Sequence, residues 1–288
     1  MRRWGLALYV LLCLIWGSTW LVIKVGYGGL GPFNVAALRF FIAGAVMTVA
    51  AWLTRARWPR TQREWLAVAV VGLLMFAADY GLIYWAEQYI ESGLTAVLFA
   101  TLPLMTLFAA RAYLPGQRIT ARKLSSSLLA LAGTIALFAD RLRLDSYAVK
   151  PMLAVLAGAA CAAIASVVSK RDAHDLPAAT LNAPSMLIGA FALLAASAAH
   201  GDGFRLPADA ATWAAVAYLS AVGTVLAFFV YFSLLKTWTV MSLAFISVFT
   251  PAIALLLGFV FLDERPSQWT VGGSILILLA IALAARQD

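Results

Sequence analysis

The stretch Pro103–Thr120 (PLMTLFAARAYLPGQRIT) recurs in outline at Pro251–Thr270 (PAIALLLGFVFLDERPSQWT). Each copy begins with a proline in the middle of a long apolar run. Each then reaches a short polar turn, Arg118–Thr120 or Arg265–Ser267, before another hydrophobic segment. This similarity predicts an internal repeat of half the chain, built from membrane-spanning helices. Two related halves packed face to face are typical of transporters, whose substrate site lies between the halves.

The composition places the chain in a membrane. Of its 288 residues, 64% are hydrophobic and 12% are charged, and the mean hydropathy is +0.91. A soluble domain has about a quarter of its residues charged, so this chain has too little polar surface to coat a globule. The net charge is +8, which in a membrane protein reflects Lys and Arg in cytoplasmic loops. The basic residues are scattered and form no continuous patch, which argues against a nucleic-acid partner.

Ten apolar segments are each long enough to cross the hydrocarbon core, which takes roughly 20 residues. The predicted fold is therefore an all-α integral membrane protein of ten transmembrane helices joined by short connections. The expected spans are roughly 5–25, 32–54, 65–86, 92–114, 120–139, 148–169, 179–199, 212–235, 242–262 and 268–285.

Lys and Arg are distributed unevenly between the two sides of this bundle. With the amino terminus inside, fourteen of the 21 lie in cytoplasmic segments, six lie outside and Arg39 lies within a span. The positive-inside rule therefore predicts that both termini are cytoplasmic. Because five spans per half is an odd number, the second half must enter the membrane from the opposite side. We expect two inverted five-helix repeats, residues 1–145 and 146–288, related by an axis in the membrane plane.

At the level of ordered motifs, the chain resembles the drug/metabolite transporter superfamily, in particular its ten-helix EamA-type members. The resemblance covers nearly the whole length and rests on Trp16-Gly17-Ser18-Thr19-Trp20, Pro32, Leu38-Arg39-Phe40, Pro103, Pro251 and Leu262-Asp263-Glu264-Arg265. The family commonly has Gly-Glu-Arg-Leu at the last motif, from which the first half departs with Pro115-Gly116-Gln117-Arg118. The resemblance implies a bacterial inner-membrane exporter of amino acids or other small metabolites. One branch of the family handles aromatic and other hydrophobic amino acids.

Helical spacing gathers aromatic and small polar side chains on single helix faces. Trp16, Thr19, Trp20 and Ile23 are spaced i, i+3, i+4 and i+7 in the first span. Similar stripes in the third and eighth spans suggest a central chamber walled by rings, although rings also pack in any bundle or anchor a helix at the interface. Ser18, Ser166, Ser169 and Ser247 are further polar candidates. The predicted substrate-binding residues are Trp16, Thr19, Trp20, Asp79, Tyr80, Ile83, Tyr84, Phe228, Tyr231 and Ser247.

Two ionisable residues lie deep within predicted spans, where charges are costly and mark functional sites. Arg39 and Asp79 are each about two turns from the outer ends of their spans, so we expect them to pair, directly or through water, near an outer gate. Alternatively, Asp79 couples transport to protons or binds a substrate amine. We expect Arg39 to have a structural or gating role. Lys24 and Lys170 are expected to snorkel or to cap helix ends.

The transport mechanism expected from two inverted halves is alternating access about a central site. Pro103 and Pro251 would free carbonyl groups in the fourth and ninth spans and weaken these helices where bending opens or closes a gate. The alternative is that both prolines only shape helix packing. An apolar, ring-lined chamber would favour amino acids with hydrophobic or aromatic side chains and would tolerate a broad range of them.

Several kinds of chemistry have no matching residues in the sequence. No carboxylate occupies the first span, where small multidrug exporters of the same superfamily have a glutamate, which weakens a drug or cation/proton antiporter as the alternative. His174, His200, Cys13 and Cys161 are too scattered for a metal site or disulfide framework. No Walker loop is present. An integral-membrane enzyme, the alternative from another class, would need converging catalytic groups, and only Asp79 and Arg39 lie deep in the predicted bundle. We therefore expect that the protein uses no cofactor and no metal. We also expect a monomer whose partners are a small-molecule substrate and the lipid bilayer.

Overall fold

In the computed structural model, every secondary-structure element of the described residues is helical; these residues are 2–90, 92–137, 139, 149–251, 253 and 268–285. The first half contains α1 (Arg2–Gly26), α2 (Pro32–Leu53), α3 (Gln62–Val70), a first π segment (Val71–Asp79), α4 (Tyr80–Ala86), α5 (Ser92–Phe99), α6 (Leu102–Tyr113) and α7 (Ala121–Leu137). The second half contains α8 (Val149–Asp172), α9 (Ala178–His200), α10 (Ala210–Ser220), a second π segment (Ala221–Leu226), α11 (Ala227–Leu235), α12 (Val240–Ala244), α13 (246–251) and α14 (Gln268–Ala285).

Many of these helices have the length and apolarity of membrane spans. Six helical units in the described part of the chain meet both conditions by length and composition: Pro32–Leu53, Gln62–Ala86, Leu94–Tyr113, Val149–Asp172, Ala178–His200 and Ala210–Leu235. Shorter apolar helices cover Trp4–Trp20, Val240–Pro251 and Val271–Ala280. The chain is therefore an all-helical, multi-pass membrane protein. The count of ten spans and the orientation of the termini stay predictions.

Local sequence signals set the ends of several helices. Thr61 and Glu64 form a capping box at the start of α3, where each side chain binds a backbone N–H of the other residue. Asp209 caps α10 by accepting a hydrogen bond from the backbone of Thr212. Gly201 ends α9 with φ 92°, a left-handed conformation that glycine adopts without strain. These polar caps lie at the ends of apolar helices, where the chain turns back into the bundle.

Helices at the same place in the two halves pack against each other. Helix α2 packs on α9, and α7 packs on α14. In addition, the first helix of each half contacts the third passage of the other: α8 contacts the first π segment, and α1 contacts α10. Small residues allow this close approach. A Cβ atom placed on Gly44 of α2 would lie 2.9 Å from the side chain of Leu187 in α9, and one placed on Gly133 of α7 would lie 2.9 Å from the backbone nitrogen of Ile277 in α14.

Four helical passages within the described part of the chain are irregular. They are the third (62–86) and fourth (92–113) of the first half and their counterparts in the second half, the eighth (210–235) and ninth (240–251). The third and eighth passages each contain a π segment, and π turns are frequently found at functional sites. The fourth passage is interrupted at 100–101 and the ninth at Phe245. Pro103 lies in the first turn of α6, directly after its interruption.

Pro251 lies six residues beyond the interruption of the ninth passage, at the end of the described part of α13. The described break in the ninth passage is at Phe245, and a kink at Pro251 itself stays a prediction. The carbonyl of Ser247, which the missing N–H of Pro251 would otherwise bind, accepts a hydrogen bond from the Thr250 hydroxyl at 3.2 Å.

Candidate functional site

A central cavity of about 740 Å³, which includes its open part, lies where these irregular passages meet. Its walls come from α1, the end of the first π segment, α4, α8 and α11, together with residues on both sides of the two interruptions. Phe99 and Leu102 flank the break in the fourth passage, and Leu243 and Ile246 flank the break in the ninth. Both broken helices therefore present their breaks to the cavity.

Nine of the ten side chains predicted to bind substrate line this cavity: Trp16, Thr19, Trp20, Asp79, Tyr80, Ile83, Phe228, Tyr231 and Ser247. The tenth, Tyr84, is outside the lining and fully buried, and its hydroxyl accepts a hydrogen bond from Arg39 at 3.1 Å. The expectation that Tyr84 faces the chamber is corrected accordingly. That the nine lining residues bind substrate stays a prediction.

Sequence reasoning left out several lining residues. These are Met75, Phe99, Leu102, Ala162, Leu243, Ile246 and Thr250. Most of them belong to the broken passages. The two central prolines of these passages are therefore the sequence signal that could have located them. Of the other serine candidates, Ser166 lines the cavity, Ser169 lines a separate small pocket, and Ser18 bonds to Ile15 and Tyr218.

Aromatic rings from α1, α4 and α11 form one wall of the cavity. The ring centroid of Trp16 lies 5.4 Å from that of Phe228 and 5.6 Å from that of Tyr231. The Tyr80 ring lies 6.1 Å from Phe228. The tilted and edge-on arrangements are those that aromatic pairs prefer. Such a wall offers a large apolar contact area with few directional bonds.

Three hydroxyl groups of the cavity donate to backbone carbonyls three or four residues earlier in the chain. Thr19 donates to the carbonyl of Trp16 at 2.8 Å, and Ser166 donates to that of Ala162 at 2.8 Å. Ser247 donates to the carbonyl of Ala244 at 2.9 Å. Bonds of this kind are common for Ser and Thr in membrane helices. They consume the hydroxyl protons and leave oxygen lone pairs facing the cavity.

Asp79 ends the first π segment and is 3% exposed. Its Oδ1 atom has no hydrogen-bond partner among the residues that the structure describes. A Cβ atom placed on Gly158 of α8 would lie 3.0 Å from this oxygen, so the carboxylate sits against a position where α8 has no side chain. A buried carboxylate oxygen without a partner is costly, which marks Asp79 as a candidate for binding a proton or a cation.

Arg39 is fully buried, but its contacts differ from those expected. Nε donates to Thr224 Oγ1 at 2.6 Å, Nη1 to the Tyr84 hydroxyl at 3.1 Å and Nη2 to the Gly223 carbonyl at 3.1 Å. The guanidinium lies 4.8 Å from the centroid of the Tyr80 ring. Within the described residues Arg39 and Asp79 form no direct ion pair, and their pairing through water stays a prediction. Arg39 reaches from α2 toward the second π segment, whereas Asp79 faces α8.

Gly223 joins this network to the cavity wall. Its carbonyl accepts hydrogen bonds from Arg39 and also from Trp16 Nε1, the latter at 3.3 Å. A Cβ atom at this position would lie 3.0 Å from Thr19 Cγ2 and 3.4 Å from Arg39 Nη2. The wide turn of a π segment frees such a carbonyl from the regular helix ladder. Arg39 therefore braces the wall through Trp16 and Tyr80 without entering the cavity.

The two lysines expected to cap or snorkel have different outcomes. Lys170 of α8 donates from Nζ to the carbonyls of Leu235, Lys236 and Trp238 at the end of α11, the last two at 3.0 and 3.2 Å. The capping prediction is therefore confirmed for Lys170. The Lys24 side chain lies outside what the structure describes, as does the 262–265 motif.

Histidine, cysteine and carboxylate side chains are dispersed among the described residues. Within them, no group of three or more His, Cys, Asp or Glu side chains is placed to hold a metal ion. Cys13 and Cys161 are free thiols.

Comparisons with known proteins agree with this architecture. The model of the EamA-like transporter family matches the chain twice, at residues 3–139 and 149–286. The uncharacterized inner membrane transporter YedA of Escherichia coli K12 is 30% identical, over 96% of this chain and 89% of YedA. A probable terminal-alkyne amino-acid exporter of Streptantibioticus cattleyicolor is 26% identical, over 99% of this chain and 93% of the exporter.

A solved crystal structure has the same fold. It superposes with a TM-score of 0.80 at 24% identity and covers 99% of this chain and 98% of its own. On the strength of the repeated family match and the relatives, the chain belongs to the EamA-like transporter family of the drug/metabolite transporter superfamily.

Proposed function

We propose that this membrane transporter is an exporter of amino acids that prefers hydrophobic and aromatic side chains. The observation that carries the proposal is the central cavity, where a wall of rings faces one buried carboxylate and several hydroxyl oxygens. Pockets for small molecules are mostly apolar with a few placed polar groups. Support for the direction and the substrate class comes from the family and from the relative whose name describes an amino-acid exporter.

The proposed mechanism is alternating access between two inverted five-helix halves. The interruptions at 100–101 and Phe245 border the cavity, and broken helices at a central site are a recurring feature of such transporters. We further propose ten spans, cytoplasmic termini, a bacterial inner-membrane location and a functional monomer. Arg39 would hold the second π segment against α2 and α4 as the halves move.

A second candidate is a drug or cation/proton antiporter, which one observation favours. Asp79 is a carboxylate buried in an aromatic cavity, and its Oδ1 has no partner among the described side chains. Such a group can exchange a proton for an organic cation. An enzymatic function has no comparable support, since the family and its named relatives are transporters.

Counterflow into liposomes containing the purified protein separates these functions. Labelled phenylalanine would be offered to vesicles preloaded with amino acids, quaternary amines or sugar phosphates. We expect preloaded hydrophobic amino acids to drive the largest accumulation of label. Preferential exchange with quaternary amines would support the antiporter instead, and exchange with sugar phosphates would contradict both.

A further inference from the structure

The donors and acceptors around the cavity are unequally available. Thr19, Ser166, Ser247 and Thr250 all donate their hydroxyl protons to backbone carbonyls three or four residues earlier in the chain. Two further donors are also engaged, because the Tyr231 hydroxyl donates to Ser166 and the Trp16 indole donates to Gly223. These six side chains therefore present oxygen lone pairs or apolar surface to a bound molecule.

Two polar atoms in the cavity wall are buried without a partner among the described residues. One is the Asp79 Oδ1 acceptor, and the other is the Trp20 Nε1 donor. The described lining contains no Lys, Arg or His side chain. Arg39, the nearby cation, already gives its hydrogen bonds to Thr224, Tyr84 and Gly223. The cavity lining is thus rich in acceptors, with one carboxyl group and no cationic side chain among the described lining residues.

From this imbalance we infer that the cavity recognises its substrate by a primary ammonium group and not by a carboxylate. A primary ammonium group has three N–H donors, which can bond to the Asp79 carboxylate and to neighbouring hydroxyl oxygens. Hydrogen bonds between charged partners are stronger than those between neutral ones. Trp20 Nε1 and the Tyr80 hydroxyl are neutral donors in the lining, and an ester or amide carbonyl satisfies a neutral donor as well as a carboxylate does. The inference rests on the proposed function and narrows it to hydrophobic primary amines, which include amino acids.

The reason for discrimination is the cost of an unpaired charge away from water. A bound ammonium is compensated by Asp79, whereas a carboxylate meets no cationic side chain of the described lining. An amino acid whose amine has been blocked should therefore lose its main polar contact. An amino acid whose carboxylate has been esterified should lose little, because the ester also removes a charge that the cavity does not pair.

The test is a binding series on the purified full chain in detergent, where membrane permeation of the ligands plays no part. Phenylalanine, its methyl ester and N-acetylphenylalanine would be compared by calorimetry. We expect the ester to bind at least as tightly as phenylalanine, and the N-acetyl compound about tenfold more weakly or worse. Asp79→Asn, which preserves shape, should weaken phenylalanine and ester binding about tenfold and leave the N-acetyl compound nearly unchanged.

Asp175→Asn is the matched control, since it removes one carboxylate that is 76% exposed and is not among the lining residues. This variant should bind all three compounds as the wild type does. Equal binding of phenylalanine and the N-acetyl compound to the wild type, or loss of ester binding, would overturn the inference even if Asp79→Asn fails to fold. If those binding results are found but phenylalanine still exchanges in counterflow, the ammonium-recognition inference fails and the proposed function is retained. If no compound binds or exchanges, both proposals fail.

Discussion

The Nη2 atom of Arg39 lies 3.1 Å from the carbonyl oxygen of Gly223, at the second π segment. The same carbonyl accepts the indole N–H of Trp16. One backbone oxygen thus connects a buried cation to a ring of the cavity wall. This contact requires a backbone without a side chain at position 223, because Thr19 and Arg39 approach it closely.

Gly223→Ala should therefore disturb both stability and transport. The added Cβ would lie 3.0 Å from Thr19 Cγ2, and overpacking of this kind costs about 1–3 kcal/mol of folding free energy. Thermal unfolding in detergent and counterflow would measure the two effects. Gly272→Ala is the control, since nothing lies within 4 Å of the added atom. Equal behaviour of the two variants would show that the close approach at Gly223 is not needed.

Arg39→Lys should destabilise the protein although it keeps the positive charge. A lysine cannot reproduce the planar fork that reaches Thr224, Gly223 and Tyr84. Each lost hydrogen bond to a charged group costs about 1.5–3 kcal/mol in folding free energy. The melting temperature in detergent would report this loss. A lysine variant that unfolds at the wild-type temperature would contradict the bracing role.

Much of this site could be predicted from helical spacing, and the errors have specific physical reasons. The i, i+3, i+4 pattern placed Trp16, Thr19 and Trp20 on the cavity because α1 is regular throughout. Equal depth suggested that Arg39 and Asp79 meet, but depth does not fix the direction in which a side chain leaves its helix.

The π segments were the main feature that the sequence pattern did not reveal. A π turn adds a residue and rotates every later side chain about the helix axis. Tyr84 shares α4 with the lining residues Tyr80 and Ile83, but its hydroxyl bonds to Arg39 and it lies outside the cavity lining, so helical spacing alone did not separate it from them. Phe99 and Leu243 were missed because they lie at breaks, where helical periodicity no longer relates one residue to the next.

Pro103→Ala should change the transport rate more than the substrate affinity. An alanine supplies the N–H that could bind the Phe99 carbonyl and carry the helix across the break, which would stiffen the proposed gate. Initial counterflow rates at saturating and limiting phenylalanine would separate the two quantities. Pro115→Ala, an exposed loop substitution, serves as the control. An unchanged rate in a folded Pro103→Ala protein would indicate that this proline only shapes packing.

Asp79→Asn distinguishes substrate binding from proton coupling. Counterflow needs no net driving force, so a residue that only couples protons can be lost without stopping it. We expect counterflow to fall, because the Asp79 carboxylate binds the substrate amine in the proposed recognition mode, and uptake driven by a pH gradient to fall with it. Normal counterflow with loss of pH-driven uptake would assign Asp79 to coupling alone. If pH-driven uptake of the wild type persists in the variant, Asp79 is not the coupling site.

The most direct measurement is phenylalanine counterflow in liposomes with the wild type and with Trp16→Ala, Trp20→Ala and Tyr80→Ala. Each substitution removes a ring from the cavity wall, and the apparent affinity should fall about threefold to tenfold. Trp52→Ala, at a side chain 74% exposed, should leave it unchanged. We predict that the wild type and Trp52→Ala accumulate label equally and that the three cavity variants accumulate less. Wild-type counterflow that all three variants retain would contradict a substrate site in this cavity.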